Sequence, residues 1–203
     1  IVQTDWPAAL PEALANAYQD KNRLDFLKSL QKLIAKLQDG HGNVYLEGSS
    51  FEPYRFPLSW DWIEKQLVIT NIYDETLSHI QLGDAVVKIN GVTAAEAIKK
   101  EEQYVSASTL GWKRFRTLTA LLEREKNAGF RLEIKRNGKT YHESLRASAS
   151  VQEAYALYTK NAIRSKKLEE SIFYLNLSRI TMEEIYQLMP ELTKAKAIVC
   201  DLR

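Results

Sequence analysis

The sequence predicts a mixed α/β chain of more than one domain, and three observations carry that prediction. Leu24, Leu27, Leu30, Ile34 and Leu37 recur at steps of three and four residues, the spacing that lays one apolar stripe along a helix. The middle of the chain turns to prolines, aromatics and short apolar runs punctuated by Gly-Asp and Asn-Gly, which are strand and turn signals. The C-terminal end then reads strand, helix, strand at the spacing of a βαβ unit.

Taken in order, Pro11 to Gln38 is built of good helix formers and predicts one or two amphipathic helices. Gly40, His41 and Gly42 end that segment, with Gly40 suited to the left-handed conformation that closes many helices. From residue 43 to residue 72, Pro53, Pro57 and several aromatics break any helical period, and Leu67 to Ile72 favours a strand. Ala85 to Ile89 is a second strand, and Asn90-Gly91 fits a type I′ turn because both of its central positions need positive φ. Ala94 to Gln103 is helix-forming. A longer helix is expected from about Trp112 to Lys126, with Phe115, Leu118, Leu121 and Leu122 on one face and Gly129 as its stop. Phe130 to Leu145 alternates apolar and polar residues around Asn137-Gly138 and predicts a hairpin. After a polar connector, Arg146 to Ser150, come a helical or extended segment, a strand from Ser171 to Leu177, a helix from about Thr181 to Thr193 and a strand from Ala197 to Leu202. The last run, AKAIVCDLR, is apolar enough for a strand covered on both faces, which needs further elements after it; an edge strand of a small complete domain is the alternative.

Composition narrows the function classes. The 203 residues are 45% hydrophobic, enough for a real core. Twenty-eight Lys and Arg against 26 Asp and Glu leave a formal charge of +2 with the signs interspersed, so nothing argues for nucleic acid. The run Trp112-Lys113-Arg114-Phe115-Arg116 mixes basic and aromatic residues, and on a helix it reads as two inward aromatics with the cations in water. No apolar run approaches the ~20 residues of a membrane span. One cysteine and three histidines make no usual zinc site, so no metal or cofactor is expected, and Cys200 reads as inert packing in a buried strand.

Residues 51–148 carry strands, two helices, a Gly-Asp before a strand and an Asn-Gly turn, and GDAVVKINGV (Gly83 to Val92) resembles the corresponding segment of the PDZ domains of bacterial proteases. Upstream, LQDGHGNVYL (Leu37 to Leu46) resembles the "D-G/P-H-T, then a Leu" motif of the C-terminal processing (tail-specific) peptidases and the related tricorn-core serine peptidases. Downstream, SIFYLNLSRI (Ser171 to Ile180) and AKAIVCDLR (Ala195 to Arg203) are similar to the first strands of that family's catalytic domain, "IGYIRI" and "KGIILDLRGNGG". The three segments follow the family's order and span nearly the whole chain.

The resemblance implies a helical segment over 1–50, a PDZ-like domain over 51–148 and the beginning of an α/β catalytic domain over 149–203. It places the nucleophilic serine beyond Arg203, so these residues alone are expected to be inactive. It also implies an extracytoplasmic serine endopeptidase acting on peptides or proteins. His41 occupies the position of the histidine that tricorn-type members use as general base; in members with a Ser-Lys dyad the same histidine is structural, and both roles stay open. Gly42 replaces the usual Thr of the family motif, and Gly40 stands where some tricorn-type members carry a serine. A PDZ-like groove would run between the strand at Phe56 to Ser59 and the helix from Trp112, making Phe56, Leu58, Ser59, Leu118 and Leu122 candidate peptide-binding residues, although Pro57 removes a main-chain donor there. Core packing is the competing role for these residues and for the nearby aromatics Phe51, Tyr54, Trp60 and Trp62. A non-catalytic peptide-binding or scaffold module is the competing function, and an unrelated α/β enzyme is a third.

Overall fold

A computed structural model describes residues 4–45, 53–74, 76–160 and 163–202, with the backbone alone for 158–160. Phe51, Leu46, Arg203 and the expected boundary at residues 50 and 51 lie outside the described residues. The chain divides into two compact units, residues 1–154 and 155–203.

The first unit opens with two helices, α1 (Trp6–Gln19) and α2 (Arg23–Ala35). Local caps separate them. Asp5 accepts the Ala8 N–H at the start of α1, and Asn22 Oδ1 accepts the N–H groups of Leu24 and Asp25 at the start of α2. Glu12 of α1 lies 3.3 Å from Lys32 of α2 and 2.9 Å from Lys36 at its C-terminal cap. After α2 the left-handed residue is Gln38, with φ 52°, and not Gly40 as the sequence suggested. Gly40 instead lies close against Trp112.

A largely antiparallel sheet follows. Its strands are β1 (Tyr54–Arg55), β2 (Leu58–Ile63), β3 (Gln66–Ile72), β4 (Ala85–Ile89) and β5 (Val92–Thr93), then the helices α3 (Ala94–Glu102) and α4 (Leu110–Leu122), then β6 (Glu123–Arg124), β7 (Gly129–Arg136), β8 (Lys139–Arg146) and β9 (Ala149–Ser150). The main sheet runs β2-β3-β4-β7-β8 with β5 beside β4, and β1 sits between β6 and β9 in a small second sheet. Both Asn-Gly pairs take the expected positive φ, 49° and 84° at Asn90 and Gly91, 49° and 76° at Asn137 and Gly138. Helix α4 ends at Leu122, four residues before Lys126, because Glu123 and Arg124 pair with Arg55 and Tyr54.

Burial follows the strand period. Leu67 and Ile69 of β3 and Leu132 and Ile134 of β7 point into one core with Phe56, Leu58, Trp60 and the α4 residues Leu118, Leu121 and Leu122. Phe56 stacks on Phe130 at 4.2 Å between centroids. Trp60 Nε1 donates to the Leu118 carbonyl at 3.0 Å, so the indole is satisfied inside the core. Trp112 and Phe115 break the expected pattern. They are 43% and 52% exposed and stack on each other at 5.3 Å, while the buried positions of α4 are Thr117, Leu118, Leu121 and Leu122 in its C-terminal half. The basic neighbours are engaged as well. Arg114 pairs with Glu102 at 3.0 Å and lies over the Trp62 ring.

The Gly-Asp of the sequence motif is a structural knot. Gly83 has φ 88°, a left-handed conformation that favours glycine. Asp84, 1% exposed, accepts from Arg136 through both carboxylate oxygens at 2.6 and 2.7 Å and from the Gln81 N–H at 2.8 Å. Arg136 also donates to the His79 carbonyl at 2.7 Å, so the segment before β4 is tied to the end of β7.

Helix α5 (Val151–Lys160) leads into the second unit, which holds β10 (Ser165–Glu169), β11 (Ile172–Asn176), α6 (Met182–Leu192) and β12 (Ala197–Asp201). Strand order is β10-β11-β12, antiparallel then parallel, so β11-α6-β12 forms the expected βαβ. Thr181 caps α6 in a reciprocal box with Glu184. The core is small, with Phe173, Leu175 and Leu192 buried. Strand β12 is open along one edge among the described residues. Ile198 and Val199 are 43% and 45% exposed, and Cys200 is exposed, because β12 pairs only with β11 among the described residues.

Among the described residues no helix is long and apolar enough to cross a membrane. The Asp84 knot gives a stability prediction. Asp84→Ala strands the Arg136 guanidinium against the protein and lowers the unfolding free energy of the first unit by about 3 kcal/mol in urea titration. A loss no greater than the roughly 1 kcal/mol of an exposed ion pair would contradict it.

Candidate functional site

The segment that carries His41 is a short loop directly after α2, and its shape is set by contacts on three sides. Within the loop, the Gly42 N–H donates to the Asp39 carbonyl at 3.1 Å, closing a turn around Gly40 and His41. From the connection between α3 and α4, Ser106 Oγ, itself buried, accepts the Asp39 N–H at 3.1 Å. From α4, Arg116 Nη1 donates to the Ser106 carbonyl at 3.0 Å and at longer range to the carbonyls of Gly40 and Gly42, 3.4 and 3.5 Å. Beyond the loop, Gln31 of α2 donates to the Val44 carbonyl at 3.1 Å.

Both glycines lie at close approaches. A Cβ on Gly40 would stand 3.0 Å from the Trp112 indole nitrogen. One on Gly42 would stand 3.1 Å from Ser106 Oγ and 3.3 Å from both the Asp39 carbonyl oxygen and an Ile34 methyl. Gly40 is thus seated against Trp112 of α4, and Gly42 against Ser106, Ile34 and the loop's own backbone.

The loop places an acid beside the histidine. Asp39 Oδ1 accepts the His41 backbone N–H at 3.0 Å and lies 3.0 Å from His41 Nδ1. The backbone N–H of His41 first, and its ring second, hold the Asp39 carboxyl below the usual carboxylate range. A depressed carboxyl is ionised at neutral pH, and this contact is therefore present above the ordinary range of an aspartate and lost as the pH falls through the depressed value. With Nδ1 engaged, Nε2 is the ring nitrogen left to take or return a proton. The His41 side chain is 99% exposed, so nothing among the described residues shields it from water. Among those residues, no cluster of three or more His, Cys, Asp or Glu side chains could hold a metal ion.

The candidate peptide-binding residues are gathered in one place. Phe56, Leu58, Leu118 and Leu122 are buried, between 1% and 7% exposed, in the contact of β2 and α4. Ser59 is partly buried, and its hydroxyl is in hydrogen-bond contact with the Tyr73 hydroxyl. A peptide reaching the four apolar side chains has to part α4 from β2. His79 and His142 stand apart from this loop. His79 contributes its carbonyl to the Asp84 knot, and His142 sits in β8 opposite Glu133.

Three residues escaped the reading of the sequence. Asp39 lies in the quoted motif two positions before His41, and its spacing alone was the available signal. Ser106 and Arg116 lie 67 and 74 to 76 positions away from their partners in the loop, and no local pattern announces them. The seating of the loop gives an ordering of stabilities. Gly42→Ala, whose new methyl meets backbone and a packed methyl, costs about 1 kcal/mol or more in urea titration. Gly40→Ala meets only the edge of a half-exposed indole and costs less; the reverse order would show that the loop is seated differently.

No protein-family model matches the sequence, and no curated protein matches it. Solved structures do. The structure of mature CPAF, a chlamydial serine protease, complexed with lactacystin is matched over 98% of this chain and 50% of that one, with a TM-score of 0.69 and 13% identity. A serine-to-alanine mutant of CPAF is matched over the same shares with a TM-score of 0.69 and 12% identity. A further structure of mature CPAF is matched over 71% of this chain and 29% of that one, with a TM-score of 0.53 and 15% identity. The chain spans about half the length of two of these CPAF chains and 29% of the other. At such identity the likeness is one of fold, and nearly the whole chain folds as part of this serine protease does.

Proposed function

We propose that this chain is the N-terminal part of a serine endopeptidase of the C-terminal processing or tricorn-like kind, with His41 as general base and Asp39 as the group that orients it. The observation that carries the proposal is the contact of Asp39 Oδ1 with His41 Nδ1 at 3.0 Å, in a loop held by Ser106 and Arg116. Support for a peptidase parent comes from the fold shared with CPAF.

The chemistry follows from that contact. The Asp39 carboxylate accepts the Nδ1 proton and fixes the tautomer, leaving the Nε2 lone pair outward. Nε2 takes the proton of a serine hydroxyl as its oxygen attacks a peptide carbonyl, and returns that proton to the departing amine. On this reading the serine is supplied by chain outside these 203 residues, so the 203 residues alone are inactive. The full exposure of His41 fits a half-site completed from elsewhere.

Residues 51–148 are assigned to a PDZ-like domain. Its strand and helix neighbours of the expected groove are packed on each other, with Trp60 donating to the Leu118 carbonyl. The domain therefore positions or gates substrate in this closed form, and peptide binding at Phe56, Leu58, Ser59, Leu118 and Leu122 belongs to a form in which α4 has moved. Work outside the cytoplasm, in the periplasm or cell envelope, is part of the same proposal.

The test uses the full-length protein. His41→Ala lowers kcat on a peptide substrate by about 10³-fold or more, with KM little changed, and Asp39→Asn also lowers kcat through the wrong tautomer. Activity of His41→Ala within a few-fold of the parent would assign the base to another residue, as in Ser-Lys members. Absence of hydrolysis and of labelling by a serine-directed fluorophosphonate in the folded parent would favour the non-catalytic binding module.

A further inference from the structure

The sequence contains two Asn-Gly pairs, and the fold holds them differently. Glycine after asparagine leaves the next main-chain nitrogen without a side chain beside it, so that nitrogen can reach the asparagine's own side-chain carbon, Cγ. Asn90 is held away from that reaction. Its N–H donates to the Arg131 carbonyl at 2.7 Å and its Oδ1 accepts the Arg131 N–H at 2.8 Å, which ties both its main chain and its amide to β7. Asn137 sits at the tip of the β7–β8 hairpin, where β8 is the last strand of the main sheet, and both Asn137 and Gly138 are exposed. Among the described residues the Asn137 side chain has no hydrogen-bond partner, and a Cβ on Gly138 would meet no atom within 4 Å.

We infer that Asn137 is a site of spontaneous deamidation, and that the isoaspartate formed there loosens the Asp84–Arg136 knot. The Gly138 nitrogen loses its proton to base and bonds to Asn137 Cγ, the Cγ–Nδ2 bond breaks, and ammonia leaves. Water then opens the cyclic imide. Opening at Cγ gives aspartate, and opening at the main-chain carbonyl gives isoaspartate, in which the chain continues through the former side chain. One water is consumed and one ammonia released, with no oxidant or reductant. The reaction requires the turn to open, and opening a hairpin tip at a sheet edge costs less than freeing Asn90, which breaks two bonds to an interior strand. The two products differ in effect. Aspartate still suits a type I′ turn. Isoaspartate adds a methylene to the main chain of a two-residue turn, which pulls the Arg136–Lys139 pairing that closes it out of register. Arg136 directly precedes Asn137 and is the residue that binds Asp84 and the His79 carbonyl, so the disturbance reaches the knot. The inference is independent of the peptidase proposal.

Ageing the 203-residue chain in mildly alkaline buffer, followed by peptide mapping with mass spectrometry, tests it. Acid is expected at Asn137 several-fold faster than at Asn90, with isoaspartate as the larger product, and the two rates converge when the chain is unfolded in guanidinium. Equal rates in the folded chain, or a difference that persists in guanidinium, overturns the site, because the fold then does not make the distinction. The isoaspartate-containing protein unfolds at a lower urea concentration than the Asn137→Asp variant, which carries the same charge on an ordinary main chain. An isoaspartate form as stable as that variant overturns the link to the knot.

Discussion

The rest of the first unit depends on the packing of α4 against β2. One side of that helix, Leu118, Leu121 and Leu122, completes the core with Leu58, Trp60 and Phe130, and the bond from Trp60 Nε1 to the Leu118 carbonyl fixes its height along the strand. Another side carries Arg116 and Trp112 to the loop after α2. A displacement of α4 that costs core contacts also unseats the loop, so the position of His41 is tied to the best-packed part of the chain. That coupling lets a fully exposed histidine keep a defined backbone setting.

The same helix explains why the loop is written Asp-Gly-His-Gly. With Ser106 and Trp112 close against the backbone, a side chain at residue 40 or 42 would crowd its neighbours. What remains at residues 39 and 41 is a carboxylate and an imidazole held by one turn. Asp39 meets His41 with a single oxygen that also takes the His41 backbone N–H, so the orienting bond and the local fold are made by one group. Water reaches both residues freely, which weakens the electrostatic part of their interaction.

Much of the fold was legible because it rests on local chemistry. Asn90-Gly91 and Asn137-Gly138 announce their turns through the positive φ those residues tolerate. The turn at Glu64-Lys65 between β2 and β3 has the same conformation, φ 48° and 64°, with no residue that signals it, and only the pairing of the two strands imposes it. The strands of the βαβ were legible from their apolar runs, whereas the exposure of Ile198, Val199 and Cys200 depends on which neighbours β12 has, which no run of residues encodes. The aromatic pair Trp112 and Phe115 misled for a related reason. Helical period fixes which residues share a face and not how far along the helix that face is covered. At the site, His41 was legible through the order of three motifs, while Ser106 and Arg116 act across most of the unit and become visible only once the chain is folded.

The central claim is that Asp39 selects the tautomer of His41 and leaves Nε2 as the basic nitrogen. Nitrogen-15 NMR of the His41 ring, at a pH where the imidazole is neutral, reads this directly in the 203-residue chain. The account predicts a proton resident on Nδ1 and an unprotonated Nε2, with that preference lost in Asp39→Asn. A ring with its proton on Nε2, or one whose tautomer is indifferent to Asp39→Asn, would contradict it.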